Sequence, residues 1–212
     1  MYDAVIFDMD GLLLDTEAMM HQATRHAYAL HGVHDIEDFM HWCVGVDSET
    51  CRAKARELYG EHLDMDAVHR ALDEEWVRLT SSNIPFKPHV EQVLNHLAQI
   101  NMPRAIATSS ERVGADRKAA VTGLNRWFDT IVTVDSVANP KPAPDPYLEA
   151  ARRLGVDPKR CLAFEDSNAG VRAALAAGMT VVQVPDIQAP NVDSVHFVAE
   201  TLADGLTKSG LW

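Results

Sequence analysis

In the run Phe7-Asp8-Met9-Asp10-Gly11, two acids stand two residues apart where an apolar stretch near the N-terminus ends. Residues Ala4 to Phe7 are a short apolar run bounded by acids and a glycine, the pattern of a buried strand. Side chains at i and i+2 of a strand share a side. The spacing therefore expects Asp8 and Asp10 to converge at the strand's C-terminal end, where open α/β sheets bind their ligands. Two carboxylates held close repel unless a proton or a cation lies between them, and one of them is then free to act as a nucleophile. An isolated D-x-D reads equally well as a helix-capping acid beside a solvated one, so the partners farther along must decide.

Three more segments carry polar groups at the ends of apolar runs. Thr108-Ser109-Ser110 offers hydroxyls and an expected helix N-terminus, whose free N–H groups favour an anion. Asn139-Pro140-Lys141-Pro142 braces a lysine between prolines. Glu165-Asp166-Ser167 adds a second acidic pair at the start of an Ala-rich helix. Taken singly, the hydroxyls are helix caps, the lysine a surface charge and the acids a complement to a helix dipole. Taken together they supply a nucleophile, hydroxyl donors, a cation and hard oxygen ligands of the kind Mg²⁺ prefers.

The elements that must position these groups alternate. Helical spacing is expected over Val90 to Ile100, from near Ser110, from Asp145-Pro146 to the Gly155 stop, and over Ala169 to Ala177. Strands are expected at Met102–Thr108, Thr130–Val134, Arg160–Glu165, Met179–Val184 and, in the tail, near Val195–Val198 before a final helix. Repeated strand–helix units predict a parallel sheet with helices on both faces, and all the polar ends then share one edge. Between Asp15 and about Ser82 the pattern is helical only. Met19, Ala23, Ala27 and Leu30 form one stripe. Cys51, Ala55, Leu58 and Tyr59 form a second within Ser48–Tyr59, and Met65, Val68, Leu72, Trp76 and Leu79 form a third. The fold class is thus α/β, a Rossmann-like three-layer parallel sheet core (1–15 and 83–212) with an inserted helical cap domain (16–82).

Bulk properties narrow the classes of partner. The chain has 212 residues, 47% hydrophobic and 24% charged, with a net charge of −12. That excess argues against nucleic-acid backbones or anionic membranes as partners, while a small anion can still be held by local cations and a metal. Cys43, Cys51 and Cys161 form no C-x-x-C pair and read as reduced thiols of a cytoplasmic protein. The N-terminal run is broken by Asp3, Asp8 and Asp10, unlike a signal peptide, and no apolar stretch approaches membrane-spanning length.

Four segments, in this order, resemble the haloacid dehalogenase (HAD) superfamily of phosphotransferases. They are Phe7-Asp8-Met9-Asp10-Gly11-Leu12, Ala107-Thr108-Ser109, Lys141-Pro142-Ala143-Pro144-Asp145-Pro146 and Phe164-Glu165-Asp166-Ser167-Asn168-Ala169-Gly170. The similarity runs from Met1 to about Pro185, and the helical insertion has the place and length of that superfamily's first cap class. The resemblance implies Asp8 as nucleophile, forming an aspartyl-phosphate, and Asp10 as acid and then base. It implies phosphate-binding roles for Thr108, the Ser109 amide and Lys141. It further implies Mg²⁺ held by Asp8, the Asp10 carbonyl and Asp166, with Glu165 as a further ligand or a positioning group. The cap would set the substrate, a small phosphomonoester such as a sugar phosphate, in a monomer or weak dimer.

Phosphatase and β-phosphoglucomutase-like isomerase are the close alternatives. The mutase-type cap His falls on Met20, one residue from His21, and the Arg expected after Gly45-Val46 is replaced by Asp47-Ser48. The cap Lys position reads Leu72-Asp73-Glu74-Glu75, and Glu111, beside Arg112, stands where mutases place a Lys. These departures favour the phosphatase. Arg52, Lys54 and Arg56 either reach substrate charges or form a solvated face. A receiver module phosphorylated on Asp combines similar groups, but its acidic pair comes first and it lacks a helical insertion.

Overall fold

A four-residue strand, β1 (Ala4–Phe7), is buried along its whole length and lies between β2 (Arg104–Ala107) and β4 (Cys161–Glu165) in a computed structural model of the chain that describes residues 2–43, 46 and 48–212. The sheet is completed by β3 (Ile131–Val132), β5 (Thr180–Gln183) and β6 (Phe197–Val198). All its pairings are parallel, in the order β3-β2-β1-β4-β5-β6. The chain winds outward from β1 to one side and then returns to the other, so the direction of winding reverses between β1 and β4. That reversal opens a crevice at the strands' C-terminal ends.

By contact the chain forms two compact units, Met1–Asp15 with Ile84–Trp212 and Thr16–Asn83. The helices in chain order are α1 (Thr16–Leu30), α2 (Glu37–Cys43), α3 (Ser48–Tyr59), α4 (Met65–Thr80), α5 (Val90–Gln99), α6 (Arg112–Thr122), α7 (Asp145–Leu154), α8 (Asn168–Ala176) and α9 (Leu202–Ser209). The first four belong to the helical unit and the rest to the sheet unit.

Strand alternation sorts the sheet's two faces. Ala4, Ile6, Ala105, Ala107, Ala163 and Val181 pack with Tyr147, Ala150 and Ala151 of α7 and Val171, Ala173 and Ala174 of α8. Small side chains on both sides let these helices lie close to the strands. On the other face the rings of Phe7 and Phe164 stack with centroids 5.3 Å apart, and Phe128 meets Phe7 edge-on at 5.9 Å. Gly205 of α9 covers this face: a Cβ there would lie 2.6 Å from the Phe164 ring and 2.8 Å from Val182. The result is the expected three layers.

The helical unit closes on its own core of Ala27, Tyr28, Ile36, Phe39, Met40, Ala55, Leu63, Met65 and Val68. The rings of Tyr28, Phe39 and Tyr59 contact one another with centroids 5.6 to 6.0 Å apart. Met65 begins α4, where Asp64 caps the helix by accepting the amides of Asp66 and Ala67. Two residues of the expected stripes, Leu30 and Leu58, are exposed instead of buried. Periodicity had also not signalled α2, because Glu37 to Cys43 is only two turns long. Gly45 and Asp47 lie outside the described residues. The helix expected from Ser110 begins two residues later, at Arg112, and α7 begins at Asp145 itself, with Pro144 preceding it.

The contrast between two helical glycines is testable by urea unfolding. Gly205→Val is expected to lose about 1–3 kcal/mol by overpacking against Phe164 and Val182. At Gly114 in α6 a Cβ meets nothing within 4 Å, so Gly114→Ala is expected to gain up to about 1 kcal/mol from helix propensity. Equal effects at the two positions would contradict the packing described.

Candidate active site

Asp8 follows directly on β1, and its amide extends the ladder by donating to the Phe164 carbonyl at 3.0 Å. The neighbouring strand β4 ends at Glu165, so Asp8, Glu165 and Asp166 meet at the crevice where the winding reverses. One carboxylate oxygen from each of the three lies within 4.8 Å of the others. Lys141 enters from the turn ahead of α7 and donates at 2.5 Å to both Asp8 Oδ1 and Glu165 Oε1. The Tyr147 hydroxyl donates to the same Glu165 oxygen at 2.6 Å, and the Ser167 hydroxyl donates to the other at 3.1 Å. Glu165 is wholly buried, and both its oxygens are hydrogen-bonded by these donors, as a buried polar group requires.

Two glycines make room for this cluster. A methyl at Gly170, in the first turn of α8, would overlap the Glu165 carboxylate. At Gly11 the backbone takes φ = 78°, and a Cβ would lie 2.5 Å from Asp166 Oδ2.

Asp8 and Asp166 lie where burial disfavours a charged carboxylate. Burial pushes Asp8 up to about 7; Lys141 opposes the rise, while Glu165 and then Asp10 add to it. Burial, reinforced by the charges of Asp8 and Glu165, pushes Asp166 up to about 9. Lys141 is held above its ordinary range because the attraction of Asp8 and Glu165 outweighs the cost of its burial. A crowded set of hard oxygen donors short of positive charge suits a divalent cation, which would reverse this protonation. The donor set therefore fits Mg²⁺.

Asp10 occupies a separate setting. Its carboxylate is not among the clustered oxygens, so the two acids do not clasp one cation between their side chains as the strand spacing expects. The regular strand has ended at Phe7, and the alternation no longer governs position 10. Lys118, from α6, donates at 2.5 Å to Asp10 Oδ1 and also contacts Oδ2. The Ser110 hydroxyl donates to Oδ2 at 2.7 Å, and Thr108 Oγ1 lies 3.5 Å from the same oxygen. Thr108 follows β2, and its hydroxyl accepts the Ser110 amide at 3.1 Å. The loop between β2 and α6 is thus a hydroxyl turn in place of the expected helix N-terminus, and Ser109 is exposed within it.

Sequence reasoning passed over Lys118 and Tyr147 as site residues. The signal for Lys118 was its place on an apolar side of the helix, three residues after buried Ala115 and next to buried Ala119. Tyr147 signalled itself as a core aromatic whose hydroxyl needs a partner. Arg112 is engaged elsewhere, donating to Asp116 at 3.0 Å and to the Ile131 carbonyl at 2.6 Å. In the helical unit Arg52 pairs with Asp66, and Lys54 pairs with Glu57 at 2.8 Å.

The family model described as haloacid dehalogenase-like hydrolase matches residues 5–184. Fructose-1-phosphate phosphatase YqaB of Escherichia coli is 35% identical over 183 residues, covering 86% of this chain and 96% of that protein. A phosphorylated carbohydrates phosphatase of Thermotoga maritima is 33% identical over 203 residues, 96% of this chain and 88% of the other. A HAD family hydrolase from Deinococcus radiodurans, solved with bound phosphate and sodium, superposes with a TM-score of 0.83 at 27% identity, covering 99% of this chain and 97% of that one. With the acidic crevice at the reversal of a parallel sheet, these likenesses make the chain a member of the haloacid dehalogenase-like hydrolases and an enzyme of the phosphoric monoester hydrolase type.

Proposed function

We propose that the enzyme hydrolyses a small phosphorylated metabolite, a sugar phosphate or similar phosphomonoester, through an aspartyl-phosphate on Asp8. The observation that carries this reading is the separation of two acids near one crevice. Asp8 lies in the buried cluster with Lys141, Glu165 and Asp166, while Asp10 is held apart by Lys118 and Ser110. A nucleophile and an acid–base must be distinct groups in a reaction that forms and then breaks a covalent intermediate. The sugar-phosphate class is supported by the printed activities of the Escherichia coli and Thermotoga maritima relatives.

In this mechanism an Asp8 oxygen attacks phosphorus, and the ester oxygen leaves with a proton from Asp10. Asp10 then takes a proton from the water that attacks the aspartyl-phosphate, which releases phosphate and restores Asp8. Lys141, the Thr108 hydroxyl and the Ser109 amide hold the phosphoryl oxygens, charge stabilisation that is strongest where water is excluded. Asp8, Asp166 and the Asp10 carbonyl would hold Mg²⁺, which supplies screening of the anions and stabilises charge on the transferring group. Glu165, with both oxygens engaged by Lys141, Tyr147 and Ser167, sets the position of Lys141. The helical unit selects the substrate. The enzyme works in the cytoplasm as a monomer or weak dimer.

A panel of metabolite phosphates with Mg²⁺, assayed for free phosphate and for isomerised product, tests the activity. Phosphate release is expected, with Asp8→Asn losing at least about 10³-fold, because no covalent intermediate can form. Isomer without phosphate release, or an Asp8→Asn enzyme with wild-type rates, contradicts the proposal. Metal binding has its own readout in thermal unfolding. Mg²⁺ at about 100 times its dissociation constant is expected to stabilise the protein by about 2.7 kcal/mol. Asp166→Asn is expected to abolish most of that shift, and a shift of unchanged size would remove Asp166 from the ligand set.

A further inference from the structure

Lys118 belongs to none of the groups assigned above to nucleophile, phosphate or metal. Its side chain is 6% exposed, against 26% for the Asp10 carboxylate in front of it. Its ammonium donates to both Asp10 oxygens and, at 2.7 Å, to Ser110 Oγ. An ammonium has three protons, and these three contacts account for them. Ser110 in turn donates to Asp10 Oδ2 at 2.7 Å, so Lys118, Ser110 and Asp10 form a closed triangle. The carboxylate is gripped at both oxygens from behind, while its partly exposed face is left open.

A buried lysine in the apolar stripe of α6 carries a large desolvation cost. The other buried residues of α6, Ala115 and Ala119, are small and apolar. The Lys118 ammonium donates its hydrogen bonds to Asp10 and to Ser110, which itself donates to Asp10. The carboxyl must be aimed at the leaving oxygen, and a displacement of about 1 Å costs of order 10²-fold in rate.

We infer that Lys118, with Ser110, is the positioning residue that holds the Asp10 carboxyl in the orientation from which it serves the leaving group. The inference rests on the phosphatase reading. Lys118 touches neither phosphate nor leaving group in this role; it acts through Asp10.

The test is the ratio of kcat/KM for an alkyl phosphomonoester to that for p-nitrophenyl phosphate, in wild type, Lys118→Met, Asp10→Asn and the double variant. In a two-step mechanism kcat/KM reports the steps up to departure of the first product, and only the poor alkoxide leaving group needs a proton there. Lys118→Met is expected to lower kcat/KM by about 10- to 100-fold on the alkyl ester and by less than about threefold on the aryl ester. Asp10→Asn should move the ratio the same way and farther. In the Asp10→Asn background, Lys118→Met should change the alkyl value by less than about threefold, because the two residues act as a unit. Equal losses on the two esters, no loss on either, or the same factor in both backgrounds would overturn the role. Ser110→Ala, which removes one side of the triangle and leaves the lysine in place, should shift the ratio in the same direction. It decides the matter should Lys118→Met fail to fold, an unmoved ratio overturning the role. An Asp8→Asn enzyme that keeps its activity sinks the phosphatase reading and this role with it. An inactive Asp8→Asn beside an unmoved ratio in Lys118→Met sinks the role alone.

Discussion

The ammonium of Lys141 lies 2.5 Å from an Asp8 oxygen and 2.5 Å from a Glu165 oxygen, with its own side chain 4% exposed. Charges at that depth are poorly screened and strongly coupled. Removing one partner of such a cluster leaves an uncompensated buried charge, at a cost of about 3–5 kcal/mol. The neighbouring structure is arranged around this demand. Tyr147 and Ser167 complete the shell of Glu165, Gly170 lets α8 begin against its carboxylate, and Gly11 gives Asp166 its room. Burial, with the neighbouring carboxylates adding to it, pushes Asp8 and Asp166 toward their protonated forms. The crowding is a structural expression of a site that suits a cation and a phosphoryl group.

Sheet topology supplies the place where such a cluster can form. Asp8 follows β1 and Glu165 ends the adjacent β4, in a register that pairs Phe7 with Phe164, so the two emerge side by side at the reversal of winding. Lys118 reaches Asp10 from α6, while Lys141 reaches Asp8 and Glu165 from the turn ahead of α7.

Much of the fold was legible in the sequence because it depends on local pattern. Ala4 to Phe7 and Ser48 to Tyr59 have the bounds that a short apolar run and helical spacing expect. The other strands are shorter than their apolar runs. Among the site residues, Asp8, Glu165 and Asp166 could be singled out by their places at strand ends and Lys141 by the prolines that bracket it, and the structure brings them together. The setting of Asp10 was not legible, because strand alternation lapses after Phe7 and its partner Lys118 stands 108 residues away. A buried lysine within an alanine stripe is the kind of local conflict that marks a functional position.

Asp8 as the phosphorylated residue is the claim on which the reading turns. Rapid mixing of enzyme, Mg²⁺ and a hydrolysed phosphomonoester, followed by acid quench and peptide mass analysis, tests it most directly. The account predicts a phosphoryl group on the peptide containing Asp8, appearing before free phosphate accumulates and absent from Asp8→Asn. Free phosphate formed at the full rate with no phosphoryl group on Asp8, or with the group on another residue, would contradict it.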